Sequence, residues 1–98
     1  MKLWIDDCRP APPGYIWFKS VTEVKEWIGR IEYTWGIELV DIDHDAGDYA
    51  LDGGDYIRIL DWFEKTGRNY PIRIHSMNPV GVENMRRIIQ KNGWREVK

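Results

Sequence analysis

With a single cysteine, Cys8, in 98 residues, the chain has no internal disulfide. The expectation for that thiol is a partly buried structural position in a protein of a reducing compartment. Long apolar runs are also missing. The longest stretch without Asp, Glu, Lys, Arg or His is residues 10–18, nine residues that include three prolines and a glycine, whereas a membrane span needs about 20 apolar residues. Asp6 and Asp7 interrupt the N-terminus where the apolar segment of a signal peptide would lie. The expected setting is therefore cytoplasmic, with no membrane partner. There is no Walker A or dinucleotide fingerprint, and one Cys with two His cannot supply a four-ligand structural zinc site. An EF-hand starting at Asp43, Asp45 and Gly47 fails at its sixth position, Asp48, and at its twelfth, Gly54.

What is present is the composition of one globular domain over residues 1–98, 43% hydrophobic and 31% charged, with six Trp, five Tyr and two Phe for a core. The net charge of -2 is unevenly spread. Residues 1–37 balance at zero, residues 38–55 hold seven acids and no Lys or Arg, and residues 56–98 carry a surplus of five positive charges. The acidic centre repels phosphate unless a cation sits there, while the basic C-terminal part attracts it.

Residues 2–6 alternate as a strand ending in paired aspartates, and the prolines at 10, 12 and 13 make a loop. Residues 15–19 are aromatic and β-branched, a second strand. Ser20 and Glu23 form a capping-box pattern ahead of Val21, Val24, Trp27, Ile28 and Ile31 at helical spacing. Residues 37–43 read as a third strand covered on both faces. Asp55 is expected to cap a second helix built on Tyr56, Ile59, Leu60 and Phe63 and ended by Gly67. Residues 71–75 give a fourth strand. A third helix runs from Pro79, burying Val82, Met85, Ile88 and Ile89, to Asn92 and Gly93, and residues 94–97 supply a fifth strand. Strands alternating with helices predict a doubly wound, mostly parallel α/β sheet. Only eight residues, 7–14, join the first two strands, so either the crossover has no helix, which we expect, or the second strand is antiparallel.

In such sheets ligands bind beyond the carboxyl ends of the strands. With strand order 2-1-3-4-5, Asp6 and Asp7, then Asp43, His44 and Asp45, then His75, Ser76 and Asn78 converge on one edge. Clustered carboxylates need a cation, because like charges raise one another's pKa. Asp6, Asp7, Asp43 and Asp45 are accordingly expected to hold magnesium or manganese. His44 and His75 are acid–base candidates near neutral pH. Ser76 and the N–H groups of Asn78, Val80 and Gly81 at a helix N-terminus are expected to cradle phosphate, with Arg9 and Arg73 neutralising its charge. Trp17 and Trp35 lie outside the helical stripes, where an exposed ring can stack on a base.

The segments Ile5-Asp6-Asp7, Leu39-Val40-Asp41-Ile42-Asp43 and Ile74-His75-Ser76 resemble the receiver domain of response regulators. That resemblance implies magnesium at Asp6 and Asp7, phosphorylation on Asp43 and a phosphoryl-binding hydroxyl at Ser76. The chain departs from the pattern: the first and last receiver helices are missing, His44 and Asp45 follow the acceptor position, and Lys98 is the nearest counterpart of the family lysine. It is more similar, over nearly its whole length, to the cyclic-phosphate processing receiver domain. The residues carrying this are Leu3-Trp4-Ile5-Asp6-Asp7-Cys8-Arg9-Pro10, Asp43-His44-Asp45-Ala46-Gly47, Ile74-His75-Ser76-Met77-Asn78-Pro79-Val80-Gly81 and Glu83-Asn84-Met85. The implied fold is a compact receiver-like (flavodoxin-like) α/β domain with a mostly parallel five-stranded sheet and three main helices. The implied function is a metal-dependent phosphate site, a Mg- or Mn-dependent phosphoesterase acting on or binding a cyclic phosphate, a phosphorylated small molecule, a nucleotide or an RNA end, as in RNA repair. The alternatives are a signalling receiver phosphorylated on Asp43 and a non-catalytic nucleotide-binding domain.

Overall fold

A computed structural model describes Met1–Lys98. The chain runs β1 (Lys2–Ile5), β2 (Tyr15–Phe18), α1 (Val21–Ile31), β3 (Leu39–Ile42), a short 3-10 turn (Gly47–Leu51), α2 (Ile57–Thr66), β4 (Ile72–Ile74) and α3 (Pro79–Asn92). Capping residues set the helix limits. The Ser20 hydroxyl accepts the Glu23 N–H at the start of α1, and the Asn78 side chain accepts the Gly81 N–H at the start of α3, where Pro79 costs no hydrogen bond. Gly67 and Gly93 end α2 and α3 in the left-handed conformation that favours glycine.

All four strands are parallel, in the order β2-β1-β3-β4. Register and alternation then sort the side chains. Leu3, Ile5, Phe18, Val40, Ile42 and Ile72 share one core with Val24 and Ile28 of α1, Leu60 and Phe63 of α2, and Met85 and Ile89 of α3. The opposite face carries a row across the sheet, Trp17–Trp4–Asp41–Arg73, each residue paired with its neighbour in register. The cause is handedness. The β2-to-β3 and β3-to-β4 connections move the same way across the sheet, so right-handed crossovers put both helices on one face. The β1-to-β2 connection moves the opposite way, and a helix there would cover the second face. The parallel β1–β2 pairing confirms a crossover that holds no helix.

Three expectations need correction. The sheet has four strands, because the segment after Gly93 pairs only through Ile72, whose N–H donates to Arg95 and whose carbonyl accepts from Val97. The Glu96 side chain in that segment is held by Arg86 of α3. Asp55 does not cap α2; its carboxylate accepts the Ala46 N–H, and Tyr56 occupies the cap position without a side-chain capping bond. Cys8 is exposed, since it lies beyond the carboxyl end of β1 on the loop side. No helix is long and apolar enough to cross a membrane.

The end of α1 is tied to the approach to β4 by Glu32, which accepts from Arg68 at 2.7 and 3.0 Å and from the Tyr70 hydroxyl. The Arg68 and Tyr70 hydrogen bonds hold the Glu32 carboxyl below its usual range against the opposing effect of burial. Burial, with the Glu32 bond, pushes the Tyr70 phenol up to about 12. A depressed carboxyl stabilises the fold above its unfolded pKa near 4.5 and loses that contribution as pH falls through its lower folded value. Glu32→Gln is expected to cost about 1–3 kcal/mol at pH 7. In urea titrations its deficit against the wild type should shrink as pH drops below about 4; a deficit independent of pH would contradict this assignment.

Candidate functional site at the carboxyl edge

Four buried residues are polar: Ser20, which caps α1, and the carboxylates Asp6, Asp41 and Asp43. A buried carboxylate requires compensation, and here it comes from a single imidazole and two guanidinium groups. His75, just past β4, faces Asp41 Oδ1 through Nδ1 at 2.6 Å and Asp6 Oδ2 through Nε2 at 3.0 Å. Its ring lies flat on Trp4, centroids 3.8 Å apart and planes 6° apart. The Trp4 indole donates to the Arg9 carbonyl, which draws the proline loop over that face. Arg73 reaches Asp41 Oδ2 at 3.3 Å from two residues before His75 on the same face.

Asp6 is the most fully engaged acid. One oxygen accepts the N–H groups of Cys8 and Arg9, and the other faces His75 and the Arg9 guanidinium at 3.4 Å. Burial would raise its pKa, yet the Arg9 and Cys8 N–H bonds with the His75 bond and charge together hold it below the usual range. Arg9 also approaches Asp43 Oδ2 at 3.7 Å and the His75 carbonyl at 3.4 Å, so a half-exposed guanidinium stands between Asp6 and Asp43 at the mouth. Beneath these acids the buried Tyr56 phenol donates to the Lys19 carbonyl. Its own burial, then the negative charges of Asp7, Asp6 and Asp43, push its pKa upward.

A second group lies beside the first. The Asp43 carboxylate accepts the His44 N–H at 2.7 Å. His44 Nδ1 meets Asp45 Oδ1 at 2.8 Å, and Asn78 Nδ2 holds Asp45 at 3.3 and 3.4 Å. The N-cap of α3 therefore fixes Asp45, Asp45 fixes the His44 ring, and Nε2 is left without a hydrogen bond. Gly81 makes this possible: a Cβ there would stand 2.5 Å from His44 Cγ.

The expected residues thus converge on one edge, in two clusters. Asp6, Asp7 and Cys8 offer ligand atoms within 4.8 Å of one another, and so do His44, Asp45 and Asp55. Asp43 lies between them, against Arg9 and His44. Asp43 belongs to neither group, so the four carboxylates expected around one cation are divided, with Asp6 and Asp7 in one group, Asp45 in the other and Arg9 between Asp6 and Asp43. Ser76 accepts the Asn78 N–H. The phosphate cradle is smaller than expected, since the N–H groups of Asn78 and Gly81 are satisfied by side chains. Arg73 serves Asp41 on the open face rather than the edge. Trp35 is exposed, whereas Trp17 is half-buried, its indole donating to the Asp6 carbonyl. Sequence reasoning missed Asp41 and Trp4. Their signal was alternation: Asp41 and Asp43, Arg73 and His75, and Trp4 and Asp6 are each two apart and so share a face.

Residues 1–91 match the family model described as the cyclic-phosphate processing receiver domain. No curated protein and no solved structure matches the chain.

Removing one partner of a buried ion pair costs more than removing an exposed one. Asp41→Ala, which leaves His75 and Arg73 facing an empty site, is expected to destabilise by about 3 kcal/mol, while Arg73→Gln, at a side chain 47% exposed, should cost less than about 1 kcal/mol. Equal losses in chemical denaturation would show that the His75 contact carries no special weight.

Proposed function

Because the chain belongs to the cyclic-phosphate processing receiver domain family, we propose that its carboxyl edge binds a cyclic phosphate ester, on a nucleotide or an RNA end, and opens it by hydrolysis. The observation that carries this reading is the His44–Asp45 pair at 2.8 Å, braced by Asn78. It is an imidazole with one nitrogen committed to a carboxylate and the other free for proton transfer.

In this reading Asp6 and Asp7 would hold magnesium or manganese, with Asp43 and Asp45 from the neighbouring strand end completing the site once Arg9 turns away, and the ion would supply charge neutralisation for phosphate oxygens. Arg9, whose guanidinium is 46% exposed, turns toward the phosphate, with the Ser76 hydroxyl beside it. His44 Nε2 takes the proton of the attacking water as a P–O bond forms. It then returns a proton to the ribose oxygen as the second P–O bond breaks, leaving a phosphate monoester. His75, stacked on Trp4 and facing carboxylates through both nitrogens, acts as a positioning residue for Asp6, and Asp41 acts through it.

Incubation with 2′,3′-cyclic nucleotides and cyclic-phosphate-ended RNA, with magnesium and with manganese, is expected to give phosphate monoesters. His44→Ala should lower kcat by about 10²–10⁴-fold while the fold persists. Gly81→Ala, which puts a methyl where the His44 ring packs, should also lower kcat. The absence of turnover across that panel would overturn the hydrolytic reading, and labelling of Asp43 by acetyl phosphate would then favour the signalling one.

A further inference from the structure

Away from the carboxylates, α1 and α2 border an open groove of about 450 Å³. Its walls carry Lys25 from α1 and Arg58, Asp61, Trp62 and Lys65 from α2, with Gly54 at one end. Lys25, Arg58 and Lys65 make no ion pair, in contrast with Arg68 close by, which is committed to Glu32. Asp61 shares the groove yet neutralises none of the three. The chain is acidic overall, so three unpaired cations along one groove make a local site for an anionic ligand.

We propose that this groove binds the phosphate backbone of a single-stranded nucleic acid. Arg58 and Lys65 are two helical turns apart, roughly 10 Å, which is beyond the reach of a lone phosphate and suits successive phosphates on a strand. Trp62 sets a half-buried aromatic ring among the cations, with the Arg68 guanidinium 4.1 Å and Lys25 Nζ 6.0 Å from its centroid, so the ring is engaged by cations and the groove offers its positive charges to the backbone phosphates rather than a stacking face to the bases. At the Gly54 end the chain passes directly to Asp55, which belongs to the His44 and Asp45 cluster. A strand lying in the groove therefore points an end toward the carboxyl edge, although its binding there does not depend on any chemistry at that edge.

The test is fluorescence anisotropy with labelled single-stranded RNA and DNA decamers lacking terminal phosphates, in EDTA so that no divalent ion loads the carboxylates. Three phosphate contacts on a single strand predict a slope of log K against log salt near -2, a loss of about 20-fold between 50 and 200 mM salt. The triple variant K25Q/R58Q/K65Q should abolish this dependence, K65Q alone should reduce the slope by about 0.7, and R87Q, on exposed α3, should leave it unchanged. RNA and DNA are expected to bind alike. The proposal fails if neither strand binds, if the triple variant, shown folded by circular dichroism, binds as well as wild type, or if poly-glutamate binds as tightly as the oligonucleotides. None of these results bears on turnover of cyclic phosphates.

Discussion

The carboxyl ends of three strands are held together by one imidazole. His75 is contributed from the end of β4 and lies between a carboxylate inside β3 and a carboxylate just after β1. Its two ring nitrogens point in opposite directions, so a single side chain compensates two buried acids that would otherwise repel each other and shun the interior. The Asp6 and Asp41 side of the edge is arranged around that bridge. Trp4 supports the ring from the sheet, Arg9 closes over the Asp6 side, and Arg73 balances the Asp41 side.

This ionic layer occupies the place that a helix layer holds in larger α/β sheets. Because the three helices lie on one face, the apolar core is one-sided, and the second face is covered by rings, salt bridges and a proline loop. A carboxylate can be buried there because opposite charges are supplied by neighbouring strands in register. The same arrangement leaves the edge rich in carboxylate oxygens with one arginine at its mouth.

Much of the fold was legible in the sequence because it rests on local rules. Ser20 with Glu23 and Asn78 with Pro79 mark helix starts, and Gly67 and Gly93 mark ends. The convergence of Asp6, Asp43 and His75 followed from strand order alone. Less could be read where pairing across the sheet decides the outcome. Asp41 looked like one acid among seven, and only its register beside Trp4 and Arg73 reveals it as the partner of His75. Asp55 had the form of a helix cap, and a tertiary contact with the Ala46 N–H took its side chain instead. The missing fifth strand has a similar cause, since a three-residue β4 offers its neighbour little more than the backbone of Ile72.

The short crossover also bears on the order in which the sheet assembles. Parallel strands are usually brought together late, because a helix must lie between them in the chain. Here Lys2 meets Tyr15 thirteen residues on, whereas its other partner, Leu39, lies thirty-seven residues on. By loop-closure entropy the nearer pairing is favoured by about 1 kcal/mol. Closure of the β1–β2 pair thus costs the least chain entropy of any pairing β1 makes, while β3 and β4, which carry Asp41, Asp43 and His75 to the edge, are joined through longer loops.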